Sequence, residues 1–114
     1  MKKLAIALCL LSSTAFATEA PVCDGVEDCS AKWDAAQLFV VKNSDLKLQT
    51  ATSVILETYS PRRSSTQIAM RVTKEPIGGG RYKIVAEVFC VNIFGCREPS
   101  AKIIERFNAE VSNL

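Results

Sequence analysis

Residues 67–90 read QIAMRVTKEPIGGGRYKIVAEVFC, two alternating runs joined by a glycine cluster. From Gln67 to Lys74, Ile68, Met70 and Val72 fall on one side and Gln67, Arg71 and Thr73 on the other, the period of a half-buried strand. Pro76 and Gly78-Gly79-Gly80 supply a turn. From Arg81 to Cys90, Tyr82, Ile84, Ala86 and Val88 share one face, while the other mixes Lys83 and Glu87 with Val85 and Phe89. Two strands with one apolar face each, joined this tightly, predict an antiparallel hairpin covered on one side.

Upstream, Asp45 to Thr50 alternates in the same way, with Leu46 and Leu48 on one side and Lys47 and Gln49 on the other. Ala51-Thr52-Ser53 makes a short link to Val54–Tyr59, rich in β-favouring side chains, and Pro61 ends that strand. Before these strands, residues 30–42 repeat Trp33, Ala36, Gln37 and Val40 at helical spacing, with Phe39 and Val41 widening the apolar surface. Asp28 or Ser30 can cap the start of that helix, and Asn43-Ser44 can end it. Beyond the hairpin, Pro99 suits a first helical turn, and Ile103, Ile104, Phe107 and Val111 form one stripe of a helix reaching about Val111. The order α-β-β-β-β-α with short links predicts a two-layer α+β sandwich, a four-stranded antiparallel meander with both helices on one face.

The chain starts with Met1-Lys2-Lys3, an apolar run from Leu4 to Leu11, and a small-x-small ending at Ala15-Phe16-Ala17. These are the parts of a secretory signal, so residues 1–17 are expected to be cleaved, 18–22 to form a short tail, and 23–114 to form one domain. The apolar run is far shorter than the about 20 residues that span a bilayer, and no stable membrane insertion is expected after signal removal. Cys9 lies inside the run behind Leu8, where a lipoprotein would want a small residue, and is expected to leave with the signal. The location implied is periplasmic or secreted.

The full chain carries 14 Lys and Arg against 12 Asp and Glu. Lys2 and Lys3 account for the whole excess, so the mature chain is balanced and offers no general electrostatic case for nucleic acid or an anionic membrane.

In an oxidising compartment the four mature cysteines, Cys23, Cys29, Cys90 and Cys96, are expected to form two disulfides out of three possible pairings. Loop entropy favours long-range bridges: about 4.4 kcal/mol for a loop of roughly 60 residues against about 2.4 for one of seven. The meander overrules it. Cys29 at the start of the first helix and Cys90 at the end of the last strand lie at opposite ends of the domain. A helix of about 13 residues separates them by roughly 20 Å, where a disulfide needs Cα atoms within about 7 Å. The prediction is Cys23–Cys29 and Cys90–Cys96.

There is no histidine, which removes Ser-His-Asp and Cys-His nucleophilic sites and every His-containing metal site. The cysteine spacing lacks C-x-x-C, disfavouring both a zinc knuckle and a thiol oxidoreductase, and no metal or cofactor is expected. Asp24, Glu27 and Asp28 cluster as a glycosidase pair would, yet acids at a helix start serve the helix dipole more simply. Gly78-Gly79-Gly80 lacks the G-x-x-x-x-G-K-[ST] pattern of a phosphate loop.

Two surface features remain. Arg62 and Arg63 stand in a polar loop that could grip a carboxylate or phosphate, or simply be solvated. Ile93 and Phe94 are large apolar residues in the loop between Cys90 and Cys96, either a partner surface or a cap on the core. The reading that follows is a non-catalytic binding, inhibitory or structural-accessory module, its partner an envelope or external protein. The alternative is a histidine-free small hydrolase or a carrier of an anionic ligand. Converging carboxylates in a deep pocket would point to the hydrolase, and a flat apolar patch around Phe94 to the partner module.

Overall fold

A computed structural model describes residues 19–63, 65–91 and 95–114. The hairpin of the sequence reading forms the middle of its sheet: β4 (Ala69–Gly78) pairs antiparallel with β5 (Arg81–Phe89), in register from Ala69↔Phe89 to Gly78↔Arg81. The turn is narrower than expected. Gly79 and Gly80 both have positive φ, 64° and 74°, which suits a two-residue primed turn, and Gly78 at 95° carries a bulge.

Pro76 lies inside the ladder opposite Tyr82 rather than in the turn. It is tolerated for a directional reason. The Lys74 N–H donates to Val54 O, toward β3 (Ile55–Thr58), so the nitrogen of Pro76 points the same way two residues later. The β3 pairing with β4 ends at Thr73, and no ladder bond is lost there.

The sheet continues through β3 to β2 (Leu48–Ala51), all antiparallel. On its other flank the structure adds a strand that the four-stranded expectation lacks: β1 (Val22–Asp24) pairs with β5, giving the order β1-β5-β4-β3-β2. Ile84 N–H donates to Pro21 O just ahead of it. Three residues are too few to show an alternation, so β1 becomes visible only through its partner.

The first helix, α1 (Gly25–Asn43), starts five residues before the expected 30. Asp24 is its N-cap without a side-chain cap bond; instead the Asp28 carboxylate accepts the Asp24 N–H at 2.9 Å. Asp28 therefore serves the helix start from inside the first turns. The second helix, α2 (Ser100–Ser112), matches the Pro99-to-Val111 expectation.

Both helices cover one face. Trp33, Ala36, Phe39 and Val40 from α1 and Ile103, Phe107 and Val111 from α2 meet Leu56, Met70, Val72, Ile84 and Ala86 of the sheet. Phe39 and Phe107 join the helices edge to face, with centroids 5.3 Å apart. Gln37 and Val41, expected on the apolar side, are instead exposed. The chain is thus a two-layer α+β sandwich. On the uncovered face, Glu57, Arg71 and Glu87 stand side by side across three strands, with Arg71 Nε 3.0 Å from Glu57 and 3.7 Å from Glu87.

Candidate functional site

Both disulfides form as the sequence predicts, with Cα separations of 4.9 Å for Cys23–Cys29 and 5.5 Å for Cys90–Cys96. Cys23 lies on β1 opposite Tyr82, and Cys29 lies on α1, so the first bridge fastens the helix to the hairpin end of the sheet. Cys90 follows β5, about 26 Å of strand away from Tyr82. The second bridge closes the connection into α2 at the other end.

Of the candidate residues of the sequence reading, the structure places Arg62 and Arg63 toward that second end. Arg62 and Arg63 are exposed in the β3–β4 connection, where Ser65 N–H donates to Arg62 O. Because Ala69 pairs with Phe89, this connection and the second staple share one end of the sheet. Ile93 and Phe94 lie outside the described residues.

The carboxylates mostly stabilise structure. Asp28 is held below the usual carboxylate range by the Asp24 N–H and then by Lys32, whose Nζ is 3.1 Å away. Glu98 is lowered by its bond from Arg106. Asp45, in the link between α1 and β2, accepts Arg97 Nε at 2.9 Å and the Ile68 N–H at 2.8 Å, and both lower its pKa, Arg97 the more. It ties the start of β4 to the chain leaving the second staple.

Asp45→Ala orphans the N–H of the fully buried Ile68 and is expected to cost about 1–3 kcal/mol in a urea melt at neutral pH. The folded pKa of Asp45 lies below its unfolded value, so its contribution is complete above about pH 4 and is lost as pH falls through the folded value. The variant should therefore show a shallower loss of stability on acidification below about pH 4 than the parent. Equal acid limbs would show that the Arg97 contact does not form.

A cleft of about 420 Å³ lies at the hairpin end, between the start of α1 and the β4–β5 turn. One wall is Trp33, 8% exposed, whose indole N–H donates to Thr52 O at 2.9 Å and so fixes the ring against the β2–β3 turn. Tyr82 of β5 forms another, and Cys29 of the first bridge also lines the cleft. Between them stands Lys74, with Nζ 5.5 Å from the Trp33 centroid and 5.2 Å from that of Tyr82. Val26 at the rim is 87% exposed, and Asp34 is the one carboxylate among the lining residues.

Trp33 and Tyr82 read from sequence as ordinary core-facing aromatics, and nothing there brings them together. Lys74 did carry a signal. It falls in phase with Ile68, Met70 and Val72 and lies opposite the buried Ile84, so a charge occupies the inward row of a strand. Lysine can do so by laying its stem along apolar surface, and two aromatic faces receive the ammonium. Among the described residues it forms no ion pair.

Also among the described residues, no group of three or more His, Cys, Asp or Glu is placed to hold a metal ion, and no helix is long and apolar enough to cross a membrane. No protein-family model matches this chain, and neither a curated protein nor a solved structure does.

Proposed function

We propose that this chain is a non-catalytic binding module of the cell envelope, exported by residues 1–17 and oxidised outside the cytosol. The observation that carries the reading is the composition of the hairpin-end cleft: two aromatic faces, a disulfide and one ammonium surround the space, with a lone carboxylate at the rim. Such walls supply contact area and one point of orientation, the ingredients of recognition. Hydrolysis by paired carboxylates asks instead for two of them facing across the substrate. Asp28, Asp45, Glu57 and Glu98 are all engaged with cations, each with a structural task.

The Cys23–Cys29 disulfide suits this role. It holds the start of α1 beside the cleft before any ligand arrives, which lowers the ordering cost of binding.

Native mass spectrometry of the protein recovered gently from its own envelope tests the reading. A non-covalent complex is expected, with its ligand returned chemically unchanged after prolonged incubation. Conversion of the ligand by the parent protein, abolished in Asp34→Asn, would replace the binding reading with an enzymatic one. N-terminal mass analysis of the same sample should find the chain beginning at Thr18, and an intact Met1 start would contradict export by cleavage.

A further inference from the structure

We infer that the hairpin-end cleft takes a small apolar monocarboxylate, with the Lys74 ammonium receiving the carboxylate and the Trp33 and Tyr82 side of the cleft receiving the apolar body. The inference rests on the binding reading above and narrows it to a ligand class.

The charge argument comes first. Lys74 is half-buried on the inward row of β4, its Nζ touching two aromatic faces and, among the described residues, no carboxylate. Cation–π contact offsets part of the lost hydration but leaves the three ammonium donors without acceptors of full charge. A carboxylate supplies them through charge-assisted hydrogen bonds.

Valence follows from the neighbours. One cation lines the cleft and one anion, Asp34, stands at its rim. A dianion such as phosphate would find a single counter-charge and a repelling carboxylate, whereas a monoanion is matched by Lys74 alone. Size and polarity follow from the walls. The volume of about 420 Å³ falls in the range of small-ligand clefts, and Trp33, Tyr82, Cys29 and the exposed Val26 make it apolar away from Lys74.

Rigidity favours the site as well. The Trp33 ring is held by Thr52 O, the strand at Lys74 by Val54 O, and the start of α1 by both the Cys23–Cys29 bridge and the Gly25 N–H to Gly80 O bond. The walls belong to α1, β4, β5 and the two turns beside them.

Trp33 is the sole tryptophan of the chain, so its fluorescence reports on the cleft without labelling. The oxidised protein is titrated with octanoate, octanol and inorganic phosphate. Octanoate is expected to change Trp33 emission saturably, octanol to bind at least roughly tenfold more weakly, and phosphate not to displace octanoate. Lys74→Met keeps an apolar stem and should bring octanoate down to the affinity of octanol while leaving octanol unchanged, which shows the cleft intact. Lys74→Arg should retain the preference for the carboxylate. Equal affinity for octanoate and octanol, unaltered octanoate binding in Lys74→Met, displacement by phosphate, or no saturable response would each overturn the inference. A different, unchanged envelope ligand found by native mass spectrometry would leave the binding module standing while this ligand class fell.

Discussion

Phe107→Ala is expected to destabilise the domain by about 3–5 kcal/mol, the usual cost of emptying a buried phenylalanine site. Phe107 is fully buried on α2 and meets Phe39 of α1 edge to face at 5.3 Å, so its removal opens the seam where both helices and the sheet converge. Ile103 and Val111 also anchor α2, and Arg106 bonds Glu98 just before the helix and reaches Asn43 at 3.4 Å. A domain of this size has a total stability of about 5–15 kcal/mol, so the variant should sit near the edge of folding. In urea, the midpoint should fall sharply with the slope kept. A loss below about 1 kcal/mol would mean that α2 does not close the core as described.

The second large effect separates the two staples. Each disulfide spans a sequence separation of 6, so each closes the same loop, worth about 2.4 kcal/mol on the entropic account. Their surroundings differ. Cys23 and Cys29 are 0% and 5% exposed and belong to the core, whereas Cys90 and Cys96 are half-exposed. Replacing the first pair by alanine removes buried sulfur and helix anchorage together with the crosslink, and should cost about 3–5 kcal/mol against about 2 for the second pair. Mild thiol reductant should accordingly open Cys90–Cys96 first, as mapped by alkylation and mass spectrometry. Equal costs, or earlier reduction of Cys23–Cys29, would contradict the burial difference.

Alternation along Ile68-Met70-Val72 and Tyr82-Ile84-Ala86-Val88 made the central hairpin legible, because one buried face per strand leaves a period of two in any sequence. Connection lengths then supplied the meander, and the meander supplied the disulfides, since a strand and helix of known direction put Cys29 and Cys90 far apart. Other parts were hidden for reasons that lie in the chain. At β1 the three-residue strand derives its structure from the edge of β5 rather than from its own pattern. The early start of α1 was obscured by Asp24-Gly25, which reads as a turn until Gly25 is seen against Gly80.

The candidate site was the least legible. Arg62, Arg63, Ile93 and Phe94 stand out in the sequence because loops advertise charge and apolar bulk in one dimension. The cleft forms at the end of the sheet opposite Arg62 and Arg63, from residues separated by dozens of positions and brought together by the first disulfide and the hairpin turn. Its one sequence clue, the inward phase of Lys74, becomes meaningful only when the aromatic rings beside it are placed.

That contrast between the two ends of the sheet sets the most direct test of the account. An amide NMR titration of the oxidised protein with octanoate should move resonances at Gly25–Asp34, Lys74 and Gly80–Tyr82, leaving Arg62 and Arg63 still. Shifts centred on Arg62 and Arg63, with the Trp33 indole unmoved, would place anion recognition at the other end and contradict the cleft as the binding site.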